Sequence, residues 1–63
     1  MTLEQILQLI THDQRVKIRI VESDDEIYGK ADVLNNYICT ELANAEVAEI
    51  NTEKDMVMIW VKE

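Results

Sequence analysis

The fold is decided by the stretch Met56-Val-Met-Ile-Trp-Val-Lys62, which has the clearest strand pattern in the chain. Side chains alternate between the two faces of a strand, so the apolar residues of this stretch divide into two sets. One set is β-branched and the other is made of methionine and tryptophan: Val57, Ile59 and Val61 against Met56, Met58 and Trp60. A strand that is apolar on both faces needs cover on both faces.

Alternating patterns predict two hairpins. Residues 46–52 form one strand of the second hairpin, and residues 56–62 form the other, with a polar turn at 51–55 between them. The first hairpin joins a strand over residues 15–22 to a return strand over residues 26–33, where Gly29 indicates a bulge or a close contact. The strand over residues 15–22 alternates apolar and basic side chains: Val16, Ile18 and Ile20 against Arg15, Lys17 and Arg19.

Helical patterns occur in two further places. Residues 2–11 predict an amphipathic helix with Thr2 as its N-cap, and Gln5 completes a capping box. Residues 34–45 predict a short, irregular helical connection. The element order α-β-β-(α)-β-β therefore predicts an α+β fold over residues 1–63, a single small acidic domain in which the N-terminal helix packs on a four-stranded antiparallel sheet.

Size and composition argue against an enzyme. A chain of 63 residues builds a small core with little room for a deep catalytic pocket. His12 and Cys39 are the only histidine and the only cysteine, so the sequence predicts neither a metal site nor any cofactor. We expect Cys39 to be a small buried residue. The first residues are not typical of a signal peptide, and no run is long enough to span a membrane, so a cytoplasmic protein is expected.

Charge favours a protein partner. Thirteen acidic residues face six basic ones, and the formal net charge is −7. Such an excess repels nucleic acid and anionic membranes and favours basic partners, including enzymes that bind nucleic acid. The carboxylates predicted to mimic nucleic-acid charge are those of the two hairpin turns and their borders: Asp24, Asp25, Glu26, Glu53 and Asp55. The alternative for these residues is an ordinary solvated turn.

An apolar contact surface is the second candidate site. The N-terminal helix covers only one face of the sheet, so Met56, Met58 and Trp60 either pack beneath residues 34–45 or stay open for a partner. By a narrow margin, these residue types favour the core. In an open interface they would share a face with Tyr28 and with a basic rim drawn from the strand at 15–22. That basic face otherwise indicates solvation or salt bridges to a neighbouring strand.

A resemblance adds an expected origin. The opening Met-Thr-Leu-Glu-Gln-Ile-Leu-Gln-Leu-Ile and the strand Asp13-Gln-Arg-Val-Lys-Ile-Arg-Ile20 resemble small proteins encoded by phages and other mobile elements of Gram-positive bacteria. The resemblance implies a bacterial cytoplasm, and such elements encode anti-CRISPR proteins and other inhibitors of host enzymes. Met56, Met58 and Trp60 depart from the polar alternation of that group.

These observations predict a protein-binding module that inhibits or modulates a nucleic-acid-processing enzyme, either by blocking a site or by mimicking nucleic-acid charge. The alternative is a homodimeric structural or regulatory protein of a mobile element that associates through its open sheet face. An RNA-binding module is less favoured, because three bases on one strand are few against the net charge.

Overall fold

The computed structural model describes residues 1–62. Three helices and four strands follow one another along the chain: α1 Leu3–Leu9, β1 Arg15–Ile20, β2 Asp25–Lys30, α2 Ala31–Tyr37, α3 Thr40–Ala43, β3 Glu46–Glu53 and β4 Met56–Lys62. The strands form one sheet in the order β2-β1-β4-β3. The α+β class, both hairpins and the four-stranded sheet are confirmed.

The two central strands follow the alternation of the sequence. In β1, the apolar side chains Val16, Ile18 and Ile20 are buried while the basic ones between them are not. In β4, Ile59 and Val61 are fully buried on the same side of the sheet. Burial of β-branched residues along both central strands makes them the base of the core.

All three helices lie on one side of the sheet. They contribute apolar residues to a single buried cluster with β1 and β4: Leu3, Ile6, Leu7, Ala31, Leu34 and Leu42 from the helices, and Val16, Ile18, Ile20, Ile59 and Val61 from the strands. Helix α1 begins as predicted, because the Thr2 hydroxyl accepts a hydrogen bond from the Gln5 N–H and the Gln5 side chain accepts one from the Thr2 N–H. The protein is therefore a two-layer structure with helices on one face only.

The prediction of a purely antiparallel sheet is wrong. Strands β1 and β4 are parallel and lie next to each other in the centre, while each pairs with its own hairpin partner outside it. The cause is the connection between the hairpins. Because α2 and α3 carry the chain along the helix layer before β3 begins, β3 runs in the same direction as β2 and β4 runs in the same direction as β1.

Two predicted boundaries also differ. The first helix is shorter than the predicted range 2–11, with Ile10 as its C-cap. The return strand ends at Lys30 instead of residue 33, because Ala31 begins α2. Ala31 and Leu34 are both buried, which is the three-residue spacing of a helix and not the alternation of a strand.

Gly29 has neither the bulge nor the close contact predicted for it. The β1–β2 register runs through Gly29 without a shift, and an added Cβ there would meet only the Leu34 side chain, 3.7 Å away, at ordinary contact distance. The sheet's register shift falls between Val47 and Glu49 on β3, an edge strand. The bulge leaves Val47 on the core side and puts Glu49 opposite Trp60 on the other side.

Candidate interaction surface

The face of the sheet opposite the helices is formed by side chains from all four strands, and we call it the helix-free face. Paired residues project from the same side of a sheet, so the strand registers define its layout. In the order β2, β1, β4, β3, three rows cross it: Lys30–Arg15–Met56–Glu53, Tyr28–Lys17–Met58–Asn51 and Glu26–Arg19–Trp60–Glu49.

The residues of this face form three stripes along the strands. A basic stripe follows β1 and includes the last residue of β2; its members are Arg15, Lys17, Arg19 and Lys30. An apolar stripe follows β4 and contains Met56, Met58 and Trp60. An acidic stripe follows the edge strand β3 and contains Glu49 and Glu53 on either side of Asn51. The apolar stripe therefore separates opposite charges.

The four predicted apolar contact residues share the helix-free face. Met56, Met58 and Trp60 are half-buried among the long side chains beside them and do not belong to the buried cluster under the helices. Tyr28 is 70% exposed and lies beyond Lys17 in the same row as Met58. The narrow preference for placing Met58 and Trp60 in the core was thus wrong, because α2 and α3 pack on the other face.

Part of the basic stripe is neutralised within the molecule. The Lys17 ammonium lies 3.0 Å from a carboxylate oxygen of Glu26. The Arg19 guanidinium donates two hydrogen bonds to one Asp24 oxygen, at 2.6 and 3.1 Å, and lies 3.8 Å from Glu26. The hydrogen bond and the charge of Asp24 raise the pKa of Arg19, with a smaller contribution from Glu26. The predicted salt bridges to the neighbouring strand are confirmed.

The five predicted acidic contact residues do not form one surface. Asp24, Asp25 and Glu26 lie at the β1–β2 turn, close to the end of β4, where the Val21 N–H donates to the Val61 carbonyl over 3.0 Å. Glu53 and Asp55 lie at the opposite end of the sheet. The Gln14 side-chain amide donates to the Asp55 carbonyl and holds that turn beside the start of β1. The parallel β1–β4 pair separates the two turns.

A shallow depression of about 300 Å³ lies at the Asp55 end of the helix-free face. It is bounded by basic, acidic and methionine side chains: Arg15, Lys17, Glu53, Lys54, Asp55, Met56 and Met58. In the described part of the chain, Arg15 and Glu53 have no ion-pair partner. The depression therefore offers both signs of charge beside an apolar surface.

The basic side chains are concentrated on one side of the molecule, whereas acidic side chains occur on both sides. The strand registers put five of the six lysines and arginines on the helix-free face, and Lys54 lies in the turn that borders it. Helices α1, α2 and α3 carry Glu4, Asp32 and Glu41 and contain no lysine or arginine. Sequence reasoning missed this separation, although the alternation of basic and apolar residues in β1 was its signal.

Cys39 and His12 add no site. Cys39 is exposed at the N-cap of α3, so the expectation of a buried cysteine was wrong. Within residues 1–62, histidine, cysteine, aspartate and glutamate side chains form no group of three or more suited to a metal ion. No helix in the same range is long and apolar enough to cross a membrane.

Comparison of the chain with protein-family models, with characterised proteins and with solved structures finds no match. The resemblance to small proteins of mobile elements therefore stays a prediction. The features that bear on function are the layout of the helix-free face and the absence of basic residues from the helices.

Proposed function

We propose that this protein is a non-catalytic protein-binding module and that the helix-free face is its contact surface. The observation that supports the proposal is the apolar stripe on β4, which no helix covers. Methionine adapts its shape to a partner, and tryptophan contributes a large rigid area, so both are enriched at protein interfaces. Trp60 lies between Arg19 and Glu49 in its row, so long side chains border it on both sides and would help to exclude water from an anchor at this position.

The stripes define the chemistry of the partner. A complementary surface carries an apolar strip, with acidic groups facing β1 and basic groups facing β3. Nucleic acid does not fit this pattern, because its phosphates would face Glu49 and Glu53 along one side of the contact. The proposed occupant of the face is therefore a protein surface with charges of both signs.

Replacing Trp60 by alanine is expected to weaken partner binding by at least about tenfold, a typical loss for a central aromatic anchor. The matched control is Tyr37→Ala, since Tyr37 is 72% exposed and belongs to helix α2 on the other side of the molecule. The measurement is capture from nuclease-treated bacterial lysate on tagged protein, followed by titration of each captured protein after purification. Support requires at least one captured protein that loses binding in Trp60→Ala and binds Tyr37→Ala fully; if no captured protein depends on Trp60, the proposal is contradicted.

The absence of lysine and arginine from the three helices favours a second function on the other side of the molecule. The helix side presents carboxylates without lysine or arginine in its helices, so it suits the basic groove of a protein that binds nucleic acid. We propose that the protein acts in the bacterial cytoplasm as an inhibitor or modulator of a nucleic-acid-processing enzyme, by occupying that groove in place of nucleic acid. This is the mode of action expected of an anti-CRISPR-like protein of a mobile element.

The second function predicts competition with nucleic acid. A single-stranded oligonucleotide is expected to displace the captured enzyme, and the double variant Asp13→Asn, Glu41→Gln is expected to weaken capture by about tenfold through loss of charge-assisted contacts. Both positions are exposed. The control is Asp25→Asn, Asp55→Asn, which makes the same change in net charge at the two hairpin turns, away from the helices and outside the rows of the helix-free face. Equal loss in both double variants, or no displacement by the oligonucleotide, contradicts inhibition by mimicry.

A further inference from the structure

We propose that the partner on the helix-free face is a second copy of this chain, in a symmetric dimer with the two sheets face to face. The inference rests on the proposed function of that face. The chain carries the complementary surface that the face requires, because its own acidic and basic stripes lie on opposite sides of its apolar stripe. One symmetry operation brings them together.

That operation is a two-fold axis lying between the sheets and parallel to β4. It places the apolar stripe of one subunit on the apolar stripe of the other and exchanges the two sides of the face. Strand β1 then lies over β3 of the partner subunit, and each row meets the same row. Arg15 faces Glu53 of the partner subunit, and Arg19 faces Glu49 of the partner subunit.

Charge selects this axis over the other arrangement available to two stacked sheets. A two-fold axis perpendicular to the strands leaves each stripe on its own copy, so it would place basic on basic and acidic on acidic. Like charges placed together across an interface disfavour that arrangement strongly. The favoured axis also keeps the strand directions aligned, which is a common geometry for packed sheets.

The ion pairs within each subunit support the same contact. Lys17 and Arg19 already have Glu26 and Asp24 beside them, so their charges are partly balanced when water leaves the face. Arg15 and Glu53 have no ion-pair partner in residues 1–62, and the proposed axis supplies one for each. The dimer thus pairs the charges that a single subunit leaves unpaired.

The area predicts a weak dimer. With the axis along β4, the strands β1, β4 and β3 overlap; three strands about 4.8 Å apart, with a seven-residue β4 rising about 3.3 Å per residue, give a contact of roughly 330 Å² in plan. Two such faces bury less than a standard specific interface, so we expect a weak monomer–dimer equilibrium, with a dissociation constant in the high micromolar range. The molecule measures 25 × 21 × 18 Å, so the face makes up one of its broad sides.

Complementary charge reversal tests both the contact and its axis. The two-fold axis creates two Arg15–Glu53 pairs between the subunits. Arg15→Glu makes both pairs acidic on both sides, and Glu53→Arg makes both pairs basic on both sides. Each variant alone is therefore expected to dimerise at least about tenfold more weakly than the unmodified chain. An equimolar mixture of the two variants restores both pairs across the axis and is expected to form a heterodimer. Asp13→Arg, which changes the net charge as Glu53→Arg does, is expected to dimerise like the unmodified chain.

The measurement is sedimentation velocity over a dilution series, with far-ultraviolet circular dichroism to confirm that each variant is folded. A monomer at all concentrations for the unmodified chain overturns the inference, as does a mixture that associates no better than its components. If the chain is monomeric while Trp60→Ala still abolishes capture of another protein, the second copy is wrong and the proposed function of the face stands. If dimerisation follows the charge pattern, both are supported.

Discussion

Replacing Ile59 by alanine is expected to remove most of the stability of the protein. Ile59 is fully buried in the central strand β4, where its neighbours across the core side are Ile18 and Ile50. Truncating a buried isoleucine costs about 2–5 kcal/mol, because apolar contacts are lost and a cavity remains. A domain of this size has roughly 3–5 kcal/mol in total. The variant is therefore expected to be largely unfolded at room temperature.

The control is the neighbouring residue on the same strand. Met58 projects from the helix-free face and is half-buried, so Met58→Ala is expected to cost about 1 kcal/mol or less. Urea unfolding can be followed by circular dichroism and by the fluorescence of Trp60, the only tryptophan, at concentrations below dimer formation. Equal losses in the two variants would mean that the two faces of β4 are equally packed, contrary to the structure.

The elements that sequence reasoning predicted well are those with a strong local signal. Strand β1 alternates over six residues: every apolar side chain in it is buried, and none of the basic ones is. The capping box of Thr2 and Gln5 depends on residues three positions apart, so it is readable without tertiary information. Local periodicity and local hydrogen bonds need no knowledge of the partner elements.

The parallel central pair could not be predicted in this way. The pair forms only if the segment between the hairpins carries the chain back along the length of the sheet before β3 begins. If that segment were a short turn, β3 would run antiparallel to β2. The path of the connection depends on whether residues 31–34 continue the strand or begin a helix. The apolar residues Ala31 and Val33 have the two-residue spacing of a strand, whereas Ala31 and Leu34 have the three-residue spacing of a helix. Hydrogen bonds from the Ala31 and Asp32 amides to the carbonyls of Gln14 and His12 hold the start of α2 against the chain before β1. These are tertiary contacts that no local pattern specifies.

The same distinction applies to the candidate sites. Tyr28 and Met58 share a face because side-chain alternation within each strand carries through the register of the sheet. The acidic residues depend on which turns lie at which end, and this follows from the direction of β4 relative to β1. The sequence therefore predicts Asp24 and Asp55 on one surface, whereas the structure puts them at opposite ends of the sheet.

The two proposed surfaces are compatible within one assembly. A face-to-face dimer would cover the basic residues of β1 and leave both helix layers outward, where Glu4, Asp32 and Glu41 are found. The outer surface of the dimer would then be more uniformly acidic than that of one subunit, and its net charge would be doubled. Dimerisation would strengthen attraction to a basic groove by the same step that buries the opposing charges.

A second large loss of stability is expected from a substitution close to the N-terminus, although the ends of most chains are poorly ordered. Leu3 is fully buried at the start of α1, and its N–H donates to the Ala45 carbonyl over 3.0 Å. The Val47 N–H donates to the Met1 carbonyl over 2.9 Å, so the first residues are paired with the start of β3. Leu3→Ala is therefore expected to destabilise the protein by about 2–4 kcal/mol, as in an ordinary core position.

Leu9 provides the matched control for this prediction, because it lies in the same helix and is 76% exposed. Leu9→Ala is expected to change the free energy of unfolding by less than about 0.5 kcal/mol, since it removes no buried contact. Urea unfolding measures both variants, and amide hydrogen exchange at Leu3 gives an independent reading of the same contact. Because the amide is bonded to Ala45 and buried, it should exchange only when much of the fold opens. Rapid exchange at Leu3, with a small loss in Leu3→Ala, would show instead that α1 detaches readily and that the sheet folds without it.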